Sequence, residues 1–401
     1  MAEDSPVDVQ VCILGAGPHG LAMALHLLRA DPSLRDGMVV LDPAGEWLTT
    51  WDRQFARLEI DVLRSPSVHH PDPDVDALAS FVSHQSMMSS GLPYDLPLTS
   101  SFRAFNRHAI ERAELPQPMA LQPRGVHLEQ DGRLRLDCAS STITTDRLVI
   151  AANPHRRQIP DWVWPLCGQS SAQLAHASDI DLRALPDLTG ERITIVGGGL
   201  TAAHLAIGAT HRGAQVDIAA RRPIVTRSFD TEPGWLGPKN LRGYERCEDP
   251  AERLAMARSA RGGGTMPPWM RSRLDHEQIR LHEGVEITEA HGTDNGYRLT
   301  FATGEHRRAD RVWLATGTTP DLGALRCIDP VRPDIATVEG LPIPDDDLRI
   351  GLPPVHVMGR LATLKLGPAA GNLWGARHAA RRIAEAITGV DTTATPHLRD
   401  R

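Results

Sequence analysis

Three glycines near the start of the chain have the types and spacing of a phosphate-binding turn, G-x-G-x-x-G. They are Gly15, Gly17 and Gly20, with Pro18 between the last two. In this pattern the first glycine permits a tight turn, the second lets the backbone approach a pyrophosphate, and the third lets a helix pack on a strand. We therefore predict that Gly15, Gly17, Pro18 and Gly20 hold the phosphates of a dinucleotide at a helix N-terminus.

The residues around this turn supply the elements of a β-α-β unit that would position it. An apolar strand pattern over 9–14 precedes the glycines, an apolar helix pattern follows, and a second strand runs over 38–41. Asp42 ends that second strand, where a carboxylate can accept a hydrogen bond from a ribose hydroxyl. The alternatives are an ordinary strand-to-helix turn and a solvated acid at the start of the Asp42-Pro43 loop.

A second copy of the pattern occurs later in the chain and weakens both alternatives. The strand 192–196 leads into Gly197, Gly199 and Ala202, which are spaced as G-x-G-x-x-A before another apolar helix. We predict that Gly197, Gly199 and Thr201 contact a second dinucleotide. Two such units imply two nucleotides with different roles, and we expect one to be FAD and the other NADPH.

Two arginines indicate which nicotinamide nucleotide the second unit binds. Arg221 and Arg222 follow the strand 215–219, at the position where an NAD-selective unit carries an acid. Two guanidinium groups suit the bidentate recognition of a 2′-phosphate, so NADP is favoured over NAD. The alternative is a pair of solvated arginines in a loop.

Length and charge set the broad class. A chain of 401 residues exceeds the usual size of a single core, so two domains are expected. The net charge of −7 and the lack of a basic run with interleaved aromatics argue against nucleic acid as a partner. No signal-peptide pattern and no long apolar run is found, so the expected protein is soluble and cytoplasmic, with no membrane partner.

The cysteines limit the possible redox chemistry. The sequence has five, and they form no C-x-x-C pair and no metal-ligand spacing. We therefore predict no metal site and no redox-active disulfide. The five are Cys12, Cys138, Cys167, Cys247 and Cys327.

The segment 46–110 is rich in loops and carries several side chains that could line a flavin or substrate pocket. These candidates are Trp47, Trp51, Arg64, His69 and His70, and Trp51 is predicted as a cofactor contact. The alternative is that the tryptophans anchor the core and the histidines are exposed beside Pro71. The later insertion 234–268 offers Trp235, Lys239 and Arg258, which could reach a substrate or pack on the surface.

Four features together resemble the flavin-containing, N-hydroxylating and Baeyer–Villiger monooxygenase superfamily, whose members have two dinucleotide-binding domains. They are the GAGPHG turn at 15–20, the crossover from Asn153-Pro154 to Ile159-Pro160, the GGGLTA turn at 197–202, and the A-T-G-x-x-P run at 315–320. The resemblance implies an α/β fold of two Rossmann-like domains, the second inserted in the first. FAD would be held by 1–185 and 320–401, and NADPH by 186–319.

The same resemblance assigns further residues. Thr316 and Gly317 would contact a cofactor where the chain returns to the first domain. A helix N-terminus near Gly371, Asn372 and Leu373 would face the flavin pyrimidine, where its partial positive charge stabilises the reduced ring. Asn372 and His176 are candidate catalytic residues, and His176 would link the two sites.

The chain departs from two family patterns in ways that bear on the substrate. The Baeyer–Villiger signature F-x-G-x-x-x-H-x-x-x-W reads Ser170, Ala172, His176 and Ile180 at its four defined positions, so only the histidine is kept. A related Gly-Asp pair that contacts the ribityl chain of the flavin reads Gly359-Arg360 here. An amine nitrogen or a sulfur is therefore expected as the oxygen acceptor rather than a ketone.

The resemblance implies an NADPH- and O2-dependent monooxygenase. NADPH would reduce FAD, and O2 would add to the reduced flavin to give a C4a-(hydro)peroxide that oxygenates a small molecule. Three alternatives share the architecture: an oxidase, a reductase and a redox sensor that does not turn over. A disulfide reductase would need the missing cysteine pair, and steady-state NADPH consumption would separate a sensor from an enzyme.

Overall fold

The computed structural model describes residues 7–88, 90–166 and 173–391. Cys167, Ser170 and Ala172 lie outside this range. The strands are β1 Val7–Leu14, β2 Met38–Leu41, β3 Gly125–Leu128, β4 Leu134–Asp137, β5 Thr142–Ile150, β6 His155–Arg157, β7 Leu174–His176, β8 Arg192–Val196, β9 Gln215–Ala220, β10 Val225–Thr226, β11 Thr265–Met266, β12 Ile279–Glu283, β13 Ile287–Thr293, β14 Gly296–Phe301, β15 His306–Ala309, β16 Arg311–Leu314, β17 Thr318–Pro320, β18 Thr337–Val338, β19 Leu341–Pro342 and β20 Val355–Val357. The α-helices are α1 Pro18–Ala30, α2 Thr49–Arg57, α3 Ala77–His84, α4 Thr99–Arg112, α5 Leu200–Thr210, α6 Pro238–Arg246, α7 Pro250–Arg261, α8 Pro268–Ser272, α9 Thr363–Leu366 and α10 Leu373–Thr388.

The first sheet has the order β2-β1-β5-β4-β3, and β20 also pairs with β5. β1 lies parallel to β2 and β5, whereas β4 and β3 continue antiparallel as a meander. This meander of β3, β4 and β5 spans 125–150, and its last strand enters the main sheet. All four residues of β2 are buried, as expected for a parallel strand covered on both faces. Helices α1 and α10 pack against each other over this sheet.

The second sheet has the order β12-β9-β8-β16-β7, and all of its pairs are parallel. Its central unit, β8-α5-β9, is the second glycine-turn unit. Strand β7 forms one edge of this sheet, although the predicted boundary at 185 places it in the first domain. The reason is that Leu174, Ala175 and His176 pair with Val312, Trp313 and Leu314 of β16. The antiparallel strands β13, β14 and β15 form a separate small sheet.

The two segments that connect the sheets run side by side. β6, in the first crossover, pairs antiparallel with β17, in the second, so that Arg157 is opposite Thr318 and His155 is opposite Pro320. An insertion of one α/β unit into another requires two such crossings, one outward and one returning. The two Rossmann-like sheets and their crossovers confirm the predicted fold class.

In the part of the chain that the structure describes, no helix is long and apolar enough to span a membrane.

Candidate functional site

The first glycine turn has the geometry predicted for each of its glycines. Gly15 has a φ of +111°, a left-handed conformation that favours glycine. A Cβ on Gly20 would lie 1.9 Å from the carbonyl oxygen of Gly15, so helix α1 can approach β1 this closely only with glycine there. A Cβ on Gly17 would meet nothing within 4 Å. Gly17 therefore borders open space at the N-terminus of α1, which begins at Pro18.

Asp42 lies beside this turn, as predicted, but its carboxylate is already engaged by the backbone. Oδ2 accepts from the N–H of Ala16 at 3.0 Å, and Oδ1 accepts from the N–H of Ala44 at 2.9 Å. Each carboxylate oxygen can accept a further hydrogen bond. Asp42 thus braces the glycine turn and keeps acceptor capacity for a ribose hydroxyl.

The second turn differs from the first because a neighbouring loop lies over it. Gly197 has a φ of +130°, and Gly199 precedes α5 in an extended conformation. A Cβ on Gly199 would lie 3.2 Å from the Cα of Gly264, and one on Gly264 would lie 2.9 Å from the Cα of Gly199. The glycine run 262–264 therefore forms one wall of the second turn. Thr201 is half-buried in the first turn of α5.

Arg221 and Arg222 are both exposed just beyond β9. A Cβ on Gly263 would lie 3.6 Å from Nη1 of Arg222, so the arginine extends alongside the loop that covers the second turn. An exposed pair of guanidinium groups at this position is compatible with binding a phosphate, and it is equally the geometry of solvated arginines.

The returning crossover is held by hydrogen bonds to the outgoing one. The hydroxyl of Thr316 donates to the carbonyl of Gln158, and the N–H of Gln158 donates to the carbonyl of Gly317 at 3.0 Å. Gly317 has a φ of +85°, which permits the turn that follows β16. These two predicted residues therefore lie together at the junction of the sheets.

His176 reaches the same junction. Its Nε2 lies 3.3 Å from the carbonyl oxygen of Gly317, and its Nδ1 lies 2.7 Å from the hydroxyl of Ser178. Burial lowers the pKa of His176, which its bond to the Gly317 carbonyl only partly opposes. Because both ring nitrogens have protein partners, this geometry favours a role in positioning Gly317, and a catalytic role for His176 stays a prediction.

The C-terminal loop and helix place three predicted residues together, with one difference from expectation. Asn372 caps α10 by accepting from the N–H of Gly375 at 2.9 Å. Its own N–H donates to the carbonyl of Ala369 at 3.1 Å, so this expected backbone donor is occupied within the loop. Leu373, the first residue of α10, packs against an aromatic cluster that includes Trp51.

Arg360 replaces the acid of the related Gly-Asp pair and has another function here. Its guanidinium donates to the hydroxyl of Thr318 at 2.8 Å and to the Thr318 carbonyl at 2.5 Å. A Cβ on Gly371 would lie 2.5 Å from Cγ of Arg360. Burial lowers the pKa of Arg360 to about 10, so it stays charged at neutral pH. Arg360 thus ties the C-terminal loop to the returning crossover.

The two tryptophans of the segment 46–110 lie in different surroundings. Trp47 donates from Nε1 to the carbonyl of Pro116 at 3.1 Å and packs against the main core, which agrees with the alternative of a core anchor. Trp51 stacks on Phe55 with ring centroids 4.0 Å apart. Helix α2, which carries Trp51, begins beside the first turn, because the N–H of Leu48 donates to the carbonyl of Ala16.

Arg64 connects the segment 46–110 to the inserted domain. Its guanidinium makes five hydrogen bonds to Arg227, Ser228, Phe229 and Thr265, four of them to backbone carbonyls. Burial lowers its pKa to about 10. Arg64 therefore holds β11, which follows the 262–264 loop, together with the segment 227–229, a role that its sequence position did not reveal.

The paired histidines are not exposed, so that part of the alternative is wrong. His70 is fully buried, and its Nε2 lies 3.1 Å from the carbonyl of Val75. Burial lowers the pKa of His70 to about 4, and that of His69 in the same direction. The guanidinium of Arg377, on α10, donates to the carbonyls of Val68 and Pro73 and holds this loop against the C-terminal helix.

His19 is a residue of the first turn that the sequence reasoning missed. Its ring hydrogen-bonds to the backbone of Gly371, and burial lowers its pKa to about 4. Its Nδ1 is buried and has no hydrogen-bond partner among the described residues. The signal was present in the sequence as the one polar side chain inside the G-x-G-x-x-G turn.

The insertion 234–268 carries its three candidates at different places, and Lys239 is exposed near the start of α6. Arg258 pairs with Glu339 at 2.6 Å, and Trp235 lies edge-on to Tyr244 with ring centroids 6.0 Å apart. Both contacts agree with packing roles. Beside this insertion, a cavity of about 340 Å³ opens between α6 and α10, with Trp374 and Arg381 in its lining.

The described cysteines Cys12, Cys138, Cys247 and Cys327 are free thiols. Burial is the main cause of the raised pKa of Cys12, and it also raises the pKa of Cys327 to about 11. A thiol with a raised pKa is a poor nucleophile at neutral pH.

Comparisons with known proteins support the same architecture. Residues 83–234 match the family model described as pyridine nucleotide-disulphide oxidoreductase. Ornithine hydroxylase from Pseudomonas aeruginosa, in its reduced form, is 18% identical, with a TM-score of 0.76 over 96% of this chain and 99% of that one. Ornithine N-hydroxylase from Kutzneria sp. 744, with reduced FAD, NADP+ and L-ornithine, is 16% identical, with a TM-score of 0.74 over 95% and 99%. The cadaverine monooxygenase of desferrioxamine biosynthesis from Erwinia amylovora, bound to FAD, is 17% identical, with a TM-score of 0.74 over 98% and 99%. The chain therefore shares the fold of these three solved structures over 95–98% of its length.

Proposed function

We propose that this protein is an NADPH- and O2-dependent flavoprotein monooxygenase that oxygenates a small molecule, most favourably at an amine nitrogen. FAD is bound by 1–185 and 320–401, with the β7 strand belonging to the inserted sheet, and NADPH is bound by 186–319. The observation that carries the proposal is the open space at Gly17 on a fold that matches amine N-hydroxylases over 99% of their length.

The residues at the first turn fit FAD. Gly17 leaves room for a pyrophosphate, α1 begins there without a side-chain cap or an acid in its first turn, and Asp42 keeps acceptor capacity for a ribose. A helix N-terminus of this kind favours a phosphate through its N–H groups and its dipole. Leu373, the first residue of α10, and Trp51 of α2 pack against the same apolar cluster, which supports a flavin position beside these two helices.

The second turn supports NADPH. Gly197 and Gly199 precede α5, the 262–264 loop forms a wall beside them, and the exposed Arg221 and Arg222 offer two guanidinium groups for a 2′-phosphate. His176, Thr316 and Gly317 lie where the two domains meet, so they would keep the second nucleotide aligned with the first.

An oxygen-using reaction is preferred over thiol chemistry. The family model that matches 83–234 favours a disulfide reductase as the second candidate. However, the sequence has no closely spaced cysteine pair, and the pKa values of Cys12, Cys138, Cys247 and Cys327 are all raised. Without a thiol acceptor, O2 is the remaining acceptor for electrons from the two nucleotides.

In the proposed reaction, an amine, O2, NADPH and a proton give a hydroxylamine, water and NADP+. Bound FAD supplies the redox chemistry that activates O2 at the expense of NADPH. The chain's residues bind and orient both nucleotides. Substrates are expected to be small amines, by analogy with the ornithine and cadaverine named for the similar structures.

The test is NADPH oxidation measured with a panel of amines, thiols and ketones that includes ornithine, lysine and cadaverine. The expected result is stimulation by at least one amine, with one atom of 18O2 found in the product by mass spectrometry. The FAD-deficient variant Gly17→Val serves as the matched control. Stoichiometric H2O2 with every substrate would indicate an oxidase, disulfide reduction a reductase, and no NADPH consumption a sensor.

The proposed partners are the small-molecule substrate and O2, without nucleic acid or a membrane. The proposed location is the cytoplasm, where free thiols such as those of Cys12 and Cys138 stay reduced.

A further inference from the structure

His19 combines three observations that the proposed cofactor roles do not use. It is the fifth residue of the GAGPHG turn, and it lies in the first turn of α1. Its ring contacts the C-terminal loop on two sides, at Gly359 and at Gly371. Its Nδ1 is buried without a hydrogen-bond partner among the described residues. A buried polar atom left without a partner is costly and calls for an explanation.

The contacts of His19 identify which ring nitrogen donates a hydrogen bond and which one is left without a partner. The bond to the Gly371 backbone raises the pKa of His19 against the larger opposing effect of burial. A hydrogen bond raises the pKa of a histidine when the ring donates to a carbonyl oxygen, because that bond favours the protonated ring. Since Nδ1 has no partner, the donor is Nε2. A Cβ on Gly359 would lie 3.5 Å from Nδ1, so the unpaired nitrogen is next to Gly359.

The charge state then limits the partner that Nδ1 can take. With its pKa lowered to about 4, the ring is neutral at pH 7 and carries one N–H, which Nε2 uses. Nδ1 is therefore an acceptor and needs a hydroxyl or an N–H as its partner. Phosphate oxygens are acceptors and do not satisfy it. The donors of FAD nearest in the molecule to a pyrophosphate are sugar-alcohol hydroxyls.

We propose that Nδ1 of His19 accepts a hydrogen bond from a ribityl hydroxyl of bound FAD, which makes His19 a positioning residue for the flavin. The position beside Gly359 supports this, because Gly359 is followed by Arg360, whose side chain turns away to Thr318 and leaves no acid for the ribityl chain. His19 thus supplies from α1 a contact that the C-terminal loop lacks. This inference rests on the proposed binding of FAD at the first turn, but not on the oxygenation of an amine.

The test compares three substitutions by the dissociation constant of FAD, measured by fluorescence quenching on protein stripped of flavin. His19→Asn keeps an acceptor near Nδ1, His19→Gln keeps an amide near Nε2, and His19→Leu keeps neither. We expect His19→Asn to bind FAD within about three-fold of the wild type. His19→Gln and His19→Leu should weaken binding about ten-fold, which corresponds to about 1.4 kcal/mol.

A second readout separates a cofactor contact from a merely structural role. The visible circular dichroism of the bound flavin should change in His19→Gln and His19→Leu and be restored in His19→Asn. The matched control is His26→Gln, since His26 is a buried histidine of the same helix whose Nδ1 already bonds the carbonyl of Ala22 at 2.8 Å. It should leave FAD affinity unchanged. The thermal stability of each flavin-free variant identifies any that fail to fold.

The outcomes distinguish this inference from the proposed function. Equal FAD affinity and flavin spectra in all three His19 variants would overturn the inference and leave the monooxygenase proposal standing. The reverse order of FAD affinities, with His19→Gln close to the wild type and His19→Asn impaired, would also overturn the inference, because it would assign the effect to the hydrogen bond with Gly371. The expected order in a protein that oxygenates no amine would uphold His19 and refute the function. A wild type that binds no FAD would refute both.

Discussion

The substitution Gly17→Val tests the assignment of the first turn, because the structure separates its effect on folding from its effect on the cofactor. Gly17 has an extended backbone, with φ −77° and ψ −173°, which valine adopts without strain. A Cβ there meets nothing within 4 Å. The free energy of unfolding of the flavin-free protein should therefore change by less than about 1 kcal/mol.

The effect on the cofactor should be much larger. The valine side chain would fill the space in which a pyrophosphate approaches the backbone, so the variant should bind FAD too weakly to be isolated yellow. At a free FAD concentration one hundred times the dissociation constant, binding stabilises the wild type by about 2.7 kcal/mol. With an unfolding entropy of about 2.1 cal/mol/K per residue over the 401 residues, the loss of that term lowers the melting temperature by about 3 °C.

The assay is differential scanning fluorimetry with and without added FAD, together with the flavin absorbance of the purified protein. The matched control is Gly20→Val, in which a Cβ would lie 1.9 Å from the carbonyl oxygen of Gly15. This variant should lose stability even without flavin, because α1 can no longer pack on β1. Retention of FAD by Gly17→Val within three-fold of the wild-type affinity would refute the pyrophosphate site. Equal destabilisation of the two flavin-free variants would refute the inference that Gly17 borders open space whereas Gly20 is tightly packed.

Two further predictions concern the second nucleotide and acidity. Replacing Arg221 and Arg222 by Ala should raise the Michaelis constant for NADPH by about one to two decades, because charged hydrogen bonds contribute roughly 1.5–3 kcal/mol. The Michaelis constant for NADH should stay nearly the same. Equal effects on both constants would refute 2′-phosphate recognition. Burial lowers the pKa of His204 to about 4, so between pH 6.5 and about 4 the unfolded chain binds a proton at His204 that the folded chain does not. The free energy of unfolding should therefore fall as the pH drops through this range. In urea unfolding, His204→Gln should flatten this dependence by at most about 1.4 kcal/mol per pH unit. An unchanged slope in His204→Gln would contradict the effect of burial.

The sequence by itself determined the local units of this protein. The glycine turns at 15–20 and 197–202, the strands that enter them and the helices that leave them are found where the pattern predicts. Strands 38–41 and 192–196 agree with the structure to the residue. The reason is stereochemical: a turn with a positive φ requires glycine, and a strand buried on both faces requires a continuous apolar run, so both leave a signal within a few residues.

The tertiary structure decided how those units contact one another. It placed the short strand β7 in the second sheet, Gly264 against Gly199, and Arg64 on the backbone of the inserted domain. It also showed His70 buried and His69 half-buried rather than exposed.

The candidate flavin site depends on the same kind of contact. His19 meets Gly359 and Gly371, more than three hundred residues further along the chain, and Asn372 uses its own N–H within its loop. Residue type and local spacing carry no record of such a partner, because burial, hydrogen-bond saturation and pKa arise from the atoms that folding brings next to a side chain. Glycine spacing therefore identified the two glycine turns, whereas packing between distant segments determined which polar atoms beside them remain available to a ligand.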